Sequence, residues 1–480
     1  MRMSRLRAGC AVVLLTLGVA LTGCDLLPES GSQQVTGNPG NPFELNGSES
    51  STGPSGPRSG VPDATLTAEN GDGGAVDRLA LNAIADVQEY WNTEYAKIFP
   101  GKFTPVSRFI SWDARAGRNQ SVQFCRESTY QEINAAYCGL DQSIGWDRGV
   151  LLPELSKKFG DMSVVFVLAH EYGHAVQEQA RLNGLFTPTV VKEQQADCFA
   201  GVFIRHVAEG NSRHFTINTT DGLNGVLGAA VAVRDQEPGA SENEHGTGFE
   251  RVTAFEIGYT DGAAKCKNMT RAELEQRRGT LPTSFGFGEK GAQLTVDRSS
   301  LEQVAQALAV NYPVTSAPRF DYNGVTKKCS NVTTTQPVSY CPATNTIGTD
   351  VTALAKRARG DDDTELLSSM VAGDYNAFVV FVSRYMLAVQ QDRKLGLTGA
   401  DTAGLRTACL SGAFSTKLSQ PGSSLQLSAD DLDEAVSGLL SDGIAAADVD
   451  GKVVASGFVR LQAFRTGVLD GETSCLSTYK

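Results

Sequence analysis

Two histidines stand four residues apart in VFVLAHEYGHAVQ, residues 165–177, with a glutamate directly after the first. On a helix His170 and His174 share a face, so both imidazoles can take the same metal ion. Glu171 stands on the adjoining face, where its carboxylate can reach a water held by that metal. A metal that activates water needs a third protein ligand and an open fourth position. The segment VVKEQQADCFAGVF, residues 190–203, follows a turn-rich break and offers Glu193 for that place. One helical turn later, Asp197 can accept a hydrogen bond from the free ring nitrogen of a ligating histidine and fix its tautomer. Gly173 costs a helix about 1 kcal/mol relative to Ala. It reads either as room for close backbone approach beside the metal or as simple helix packing.

These motifs, HEYGHAVQ and EQQADCFAG, are followed by HGTGFERVTAFEIGYTDGAAKC at 245–266, and together they resemble the bacterial neutral zinc metallopeptidase family of predicted metalloproteases. The likeness runs over about residues 76–266. It implies one Zn2+ per chain held by His170, His174 and Glu193, with Glu171 as general base and a peptide or protein as substrate. It leaves cleavage specificity open. His245 follows a loop, 236–244, rich in Pro, Gly and acidic residues. Peptide hydrolysis builds negative charge on the carbonyl oxygen, where a hydrogen-bond donor lowers the barrier. His245 is the candidate for that catalytic role, against the plainer reading of a loop histidine capping a turn. His206 and His214 read as surface residues, Tyr172 as packing, and Arg251 as a structural ion-pair partner.

The elements that must hold these groups read as follows. Residues 77–97 carry a helical period, 103–113 and 121–124 read as strands, and 143–150 as a further extended segment. The two metal-site helices come next, then another helix around 223–233. That is α+β, a small sheet flanked by helices, of the zincin kind. A strand edge beside the metal would let an extended peptide dock by main-chain hydrogen bonds, but the sequence does not locate it.

The chain is written twice. VDRLALNAIADVQEYW at 76 is echoed by VDRSSLEQVAQAL at 296, and YCGLDQSIGWD at 137 by YCPATNTIGTD at 340. VFVLAHEYGHAVQ is echoed by FVVFVSRYMLAVQ, ADCFAGVF by TACLSGAF, and GFERVTAFEIGYTDG at 248 by GFVRLQAFRTGVLDG at 457. In the second copy His170, Glu171, His174, Glu193, Asp197 and His245 become Ser383, Arg384, Leu387, Gly404, Ala408 and Val454. The chemistry is lost as a unit, whereas the cysteines, Gly201/Gly412, Gly258/Gly467 and Arg251/Arg460 remain. The second half therefore reads as a degenerate copy that cannot bind zinc in this way. Eight cysteines outside the N-terminal segment allow 105 pairings. Duplication favours pairing within each copy: Cys125 with Cys138 and Cys198 with Cys266, then Cys329 with Cys341 and Cys409 with Cys475.

The N-terminus has a basic start (Arg2, Arg5, Arg7), a short apolar run at 11–21, and LTGC ending at Cys24. That is a signal peptide whose tail resembles a lipobox, with Cys24 lipidated. The expected organisation is signal 1–24, a Gly/Ser/Pro-rich disordered tether 25–75, a zinc metallopeptidase domain 76–288, and its degenerate repeat 289–480. A net charge of −12 argues against nucleic acid as a partner. The membrane is reached through the lipid only, on the extracytoplasmic side, and the two halves pack on each other. The function expected is envelope-anchored, zinc-dependent endopeptidase activity. The alternatives are a non-catalytic, lipid-anchored binding or scaffold protein of the same fold and a cell-wall amidase.

Overall fold

The computed structural model describes residues 44–45, 48–49, 52–235, 245–282, 284, 293–359, 367–423 and 425–480. Cys24 and the signal segment, the loop 236–244 and the expected domain boundary at 288 lie outside them. Helix α1 (Ala75–Ile98) buries Ala80, Ala83, Ile84, Val87, Trp91 and Tyr95 at helical spacing, which commits one stripe to the core. The sheet follows: β1 (Arg108–Trp112) pairs parallel with β3 (Ser143–Asp147), and β2 (Ala135–Cys138) pairs antiparallel on the other side of β3. β2 is thus an outer strand. Asp147 ends β3 and accepts the N–H groups of Gly149, Val150 and Leu151, starting α2 (Leu151–Phe159). At Gly160, with φ at +80°, the chain turns into α3 (Asp161–Ala180).

α3 is buried almost without a break from Met162 to Gln177, as an all-round apolar helix must be. Next come α4 (Thr189–Ala208), α5 (Asp221–Ala232) and α6 (Gly248–Asp261). α4 and α6 touch backbone to backbone. A Cβ on Gly258 would stand 1.8 Å from the Cys198 carbonyl oxygen, and one on Gly201 2.2 Å from that of Phe255. Only glycine fits either place.

The second half has the same order: α7 (Arg298–Asn311), β4 (Arg319–Asp321), β5 (Val338–Cys341), β6 (Thr346–Asp350), α8 (Val351–Arg357), α9 (Asp374–Asp392), α10 (Leu405–Leu418), α11 (Asp431–Ser441) and α12 (Gly457–Thr478). β4 is parallel and β5 antiparallel to β6, and Cys341 faces Thr346 as Cys138 faces Ser143. A Cβ on Gly467 would stand 1.8 Å from the Cys409 carbonyl oxygen. The disulfides are Cys125–Cys138, Cys198–Cys266, Cys329–Cys341 and Cys409–Cys475.

The halves exchange helix caps. Asp433 of α11 accepts the N–H groups of Gly248 (2.7 Å) and Phe249 (2.8 Å) at the start of α6. Asn224 of α5 accepts the Gly457 N–H (2.6 Å) at the start of α12. Arg465 donates to the buried Glu256 at 3.3 Å. The Asp433 and Asn224 contacts satisfy backbone donors that a helix leaves open at its N-terminus, and the exchange is reciprocal, as across a two-fold axis.

Four expectations are corrected. The strands are shorter than read: 103–107 is not strand, and Gln123–Phe124 forms only a small hairpin with Glu127–Ser128 outside the main sheet. Residues 52–74 are not a free tether. Gly56–Pro57 pairs with Phe215–Thr216, the Arg58 guanidinium donates to the Ser212 and Phe215 carbonyls, and the Ala64 N–H goes to Asn82. Hydrogen bonds fasten this stretch together with the packing of Leu66 and Ala68 on the core, so composition does not reveal it. His214 is buried, its Nδ1 on Asp86, with Ser212 donating to the same carboxylate. His206 is half-buried against Tyr90 and Phe203. No helix among the described residues is long and apolar enough to cross a membrane.

Candidate metal centre

Gly173 sets how closely α3 and α4 approach. A Cβ there would stand 3.0 Å from Ala196 Cα and 3.2 Å from its carbonyl oxygen. The contact brings Glu193, one turn earlier on α4, onto the two histidines of α3. Glu193 Oε2 lies 3.2 Å from His170 Nε2, and Glu193 Oε1 lies 3.4 Å from His174 Nε2. Ligand atoms of these three residues all lie within 4.8 Å of one another.

The far side of each ring is held. His170 Nδ1 lies 2.8 Å from Asp197 Oδ1, and His174 Nδ1 lies 3.2 Å from Gln177 Oε1. An acceptor opposite each Nδ1 places the ring proton there and leaves Nε2 as the metal-facing lone pair. Gln177 is itself oriented, since its amide nitrogen donates to the Lys192 carbonyl at 2.5 Å. Arg251 donates to Asp197 Oδ1 at 2.7 Å and to the Val233 carbonyl at 2.8 Å. The ion-pair partner of Arg251 is therefore the carboxylate that positions His170.

Glu171 accepts the Tyr137 N–H of β2 at 2.9 Å, so the outer strand of the sheet runs beside the site. His245 Nδ1 lies 3.2 Å from Asp235 Oδ1, and its Nε2 lies 4.0 Å from Glu193 Oε2. Its side chain is 55% exposed, at the mouth of the site. Asp235 also accepts the Gly246 N–H at 2.8 Å, which shapes the turn carrying His245. Tyr172 is fully buried, its hydroxyl accepting the Val106 N–H, and it packs rather than faces the site.

Burial alone would keep the His170 ring neutral, but Asp197 and Glu193 beside it push its pKa up to about 10. Burial would raise Glu193, yet the two imidazoles hold it far below the usual carboxylate range. Asp197 is lowered against burial by Arg251 and His170. Without a metal the site thus holds a proton that a metal ion must displace. Glu193 Oε2 is buried and makes no hydrogen bond among the described residues, despite its nearness to His170. Two imidazoles and one carboxylate suit zinc in a catalytic centre, with room left for water.

The aligned position in the second half is filled differently. Arg384, fully buried, donates to the carbonyls of Ile444 (2.8 Å), Ala447 (3.2 Å) and Asp448 (3.3 Å). Sequence reasoning missed Gln177, Asp235, the β2 edge and the Arg251–Asp197 pairing. Gln177 had a signal only in closing the HEYGHAVQ motif, and Gln390 stands at the aligned place in the second half.

Residues 78–269 match the family described as "putative neutral zinc metallopeptidase". Uncharacterized proteins of Mycobacterium bovis and of two Mycobacterium tuberculosis strains are 27% identical over 202 residues, covering 37% of this chain and 66% of each relative. No solved structure gives a significant match.

Proposed function

We propose that this chain is a zinc-dependent endopeptidase of the bacterial cell envelope, anchored by a lipid on Cys24 and built from one working and one degenerate copy of a zincin-like domain. The observation that carries this reading is the convergence of His170, His174 and Glu193, with a buried Glu193 oxygen that makes no hydrogen bond among the described residues. Zinc bound there would lower the pKa of a coordinated water towards neutrality and polarise a substrate carbonyl. Tyr137 pins one oxygen of Glu171; the other takes the proton from the attacking water and passes it to the leaving amine. Asp197, backed by Arg251, and Gln177 keep the two imidazoles aimed. His245, with Nδ1 on Asp235, would donate from Nε2 to the carbonyl oxygen as the doubly protonated imidazolium while charge builds there. The shared strand order, register, disulfides and glycine contacts support the duplication.

The test is cleavage of a mixed peptide library by zinc-loaded protein and by Glu171→Gln, which retains all three ligands. The reading expects defined cuts by the native chain and a loss of about 10²–10⁴-fold in the variant. Full zinc occupancy with no cleavage in either would instead support the binding or scaffold protein. Labelled fatty acid incorporated by the native chain, but not by Cys24→Ala, checks the anchor.

A further inference from the structure

Beside His170 and Glu171 the fold leaves a cavity of about 270 Å³. Ile133, Leu151, Phe166 and Val233 give it apolar walls. These come from the first half. Leu367 completes the wall, and it comes from the second. It is only 6% exposed, and its carbonyl accepts a hydrogen bond from Lys158 of α2. The segment stays on the first half as it continues: a Cβ on Gly228 of α5 would stand 3.5 Å from Ser369 Cβ. Arg251 also lines the cavity, but its guanidinium is turned to Asp197 and the Val233 carbonyl.

We infer that this cavity is the specificity pocket for an uncharged apolar side chain next to the scissile bond, and that the degenerate half serves the reaction by closing it with Leu367. This rests on the peptidase reading. Burial of an apolar side chain against five aliphatic or aromatic residues is favourable. A carboxylate placed there would lose its hydration beside a guanidinium whose two terminal nitrogens are already given to Asp197 and the Val233 carbonyl, leaving only the buried Nε–H. The second half, with no metal ligands of its own, would then determine which bond the first half cuts.

The test is calorimetric binding of small hydroxamates to the zinc-loaded full chain. Acetohydroxamate, which has no side chain, reports the metal alone; phenylalanine, leucine and aspartate hydroxamates add the pocket. The inference expects the phenylalanine and leucine compounds to bind at least about tenfold more tightly than the aspartate compound. Leu367→Trp, which fills the cavity, should weaken the phenylalanine compound by about tenfold or more. Acetohydroxamate affinity and zinc content should not change. Leu367→Ala serves as the milder variant and should weaken the leucine compound. Tighter binding of the aspartate compound, or indifference of the apolar compounds to both substitutions, overturns the inference while leaving the metal centre standing. Failure of acetohydroxamate to bind the native chain overturns the metal reading, and this inference with it.

Discussion

Gly173→Ala separates the folding of this domain from its metal chemistry. The new Cβ would stand 3.0 Å from Ala196 Cα, 3.2 Å from its carbonyl oxygen and 3.3 Å from its Cβ. Carbon atoms rest comfortably at about 3.5–4.0 Å, so α3 and α4 must part by roughly half an ångström. Two effects on stability oppose each other. Removing glycine from a helix interior gains about 1 kcal/mol, and mild overpacking costs about 1–3 kcal/mol. The net loss should therefore stay below about 2 kcal/mol. The second half carries Met386 at the aligned position, fully buried in α9, so the fold accepts a side chain there when no metal has to be bound. The metal does not accept the shift, because ligand distances must hold to about 0.2 Å and Glu193 rides on α4. Zinc affinity should fall at least about tenfold, read by chelator competition, with the urea midpoint measured alongside. Gly258→Ala is the structural control: its Cβ would stand 1.8 Å from a backbone oxygen, and it should cost stability first. A Gly173→Ala protein that binds zinc as tightly as the native chain would refute the idea that this glycine sets the ligand geometry.

Two pH dependences follow. In the metal-free site the His170 pKa is raised to about 10, so its proton is present throughout pH 6–9 and zinc must expel it. Affinity should then rise about tenfold per pH unit over that window, and a flat profile in chelator competition would contradict the assigned proton. Asp374, Asp431 and Glu434 form a buried acidic cluster in the second half, where burial raises Asp374 to about 6 and Asp431 to about 7 and lifts Glu434 well up. Folded pKa values above the unfolded ones, near 4, mean no cost below pH ~4 and a loss of stability as pH rises through 6–7. Asp431→Asn should raise the melting temperature at pH 8 and leave it unchanged at pH 4, and equal pH slopes in calorimetry would sink the point.

What the sequence disclosed was local or repeated. His170, Glu171 and His174 are a contiguous pattern, and Glu193 with Asp197 lies in the next helix, so spacing alone suggested them. Gly201, Gly258 and the cysteines stood out because the echoed segments of the second half keep them. The misses depend on distant partners. Asp86 reaches His214 across 128 positions, and nothing in SRHFT announces a buried histidine. β2 is the four-residue AAYC, too short and mixed to show an alternation. Asp235 matters only because the chain returns with His245 beside it. Leu367 is an ordinary leucine until the second half brings it to the cavity that Phe166 and Leu151 also line. Such contacts are set by how the halves pack, which no local pattern encodes.

Zinc content tests the central claim most directly, by elemental mass spectrometry of the purified chain beside Glu193→Ala and Arg384→Ala. The account predicts close to one zinc per native chain, loss of it in Glu193→Ala, and no change in Arg384→Ala, because Arg384 stands where the second half lacks the histidines and glutamate of the first. A native chain that stays zinc-free after refilling, or a Glu193→Ala protein that keeps its metal, would contradict it.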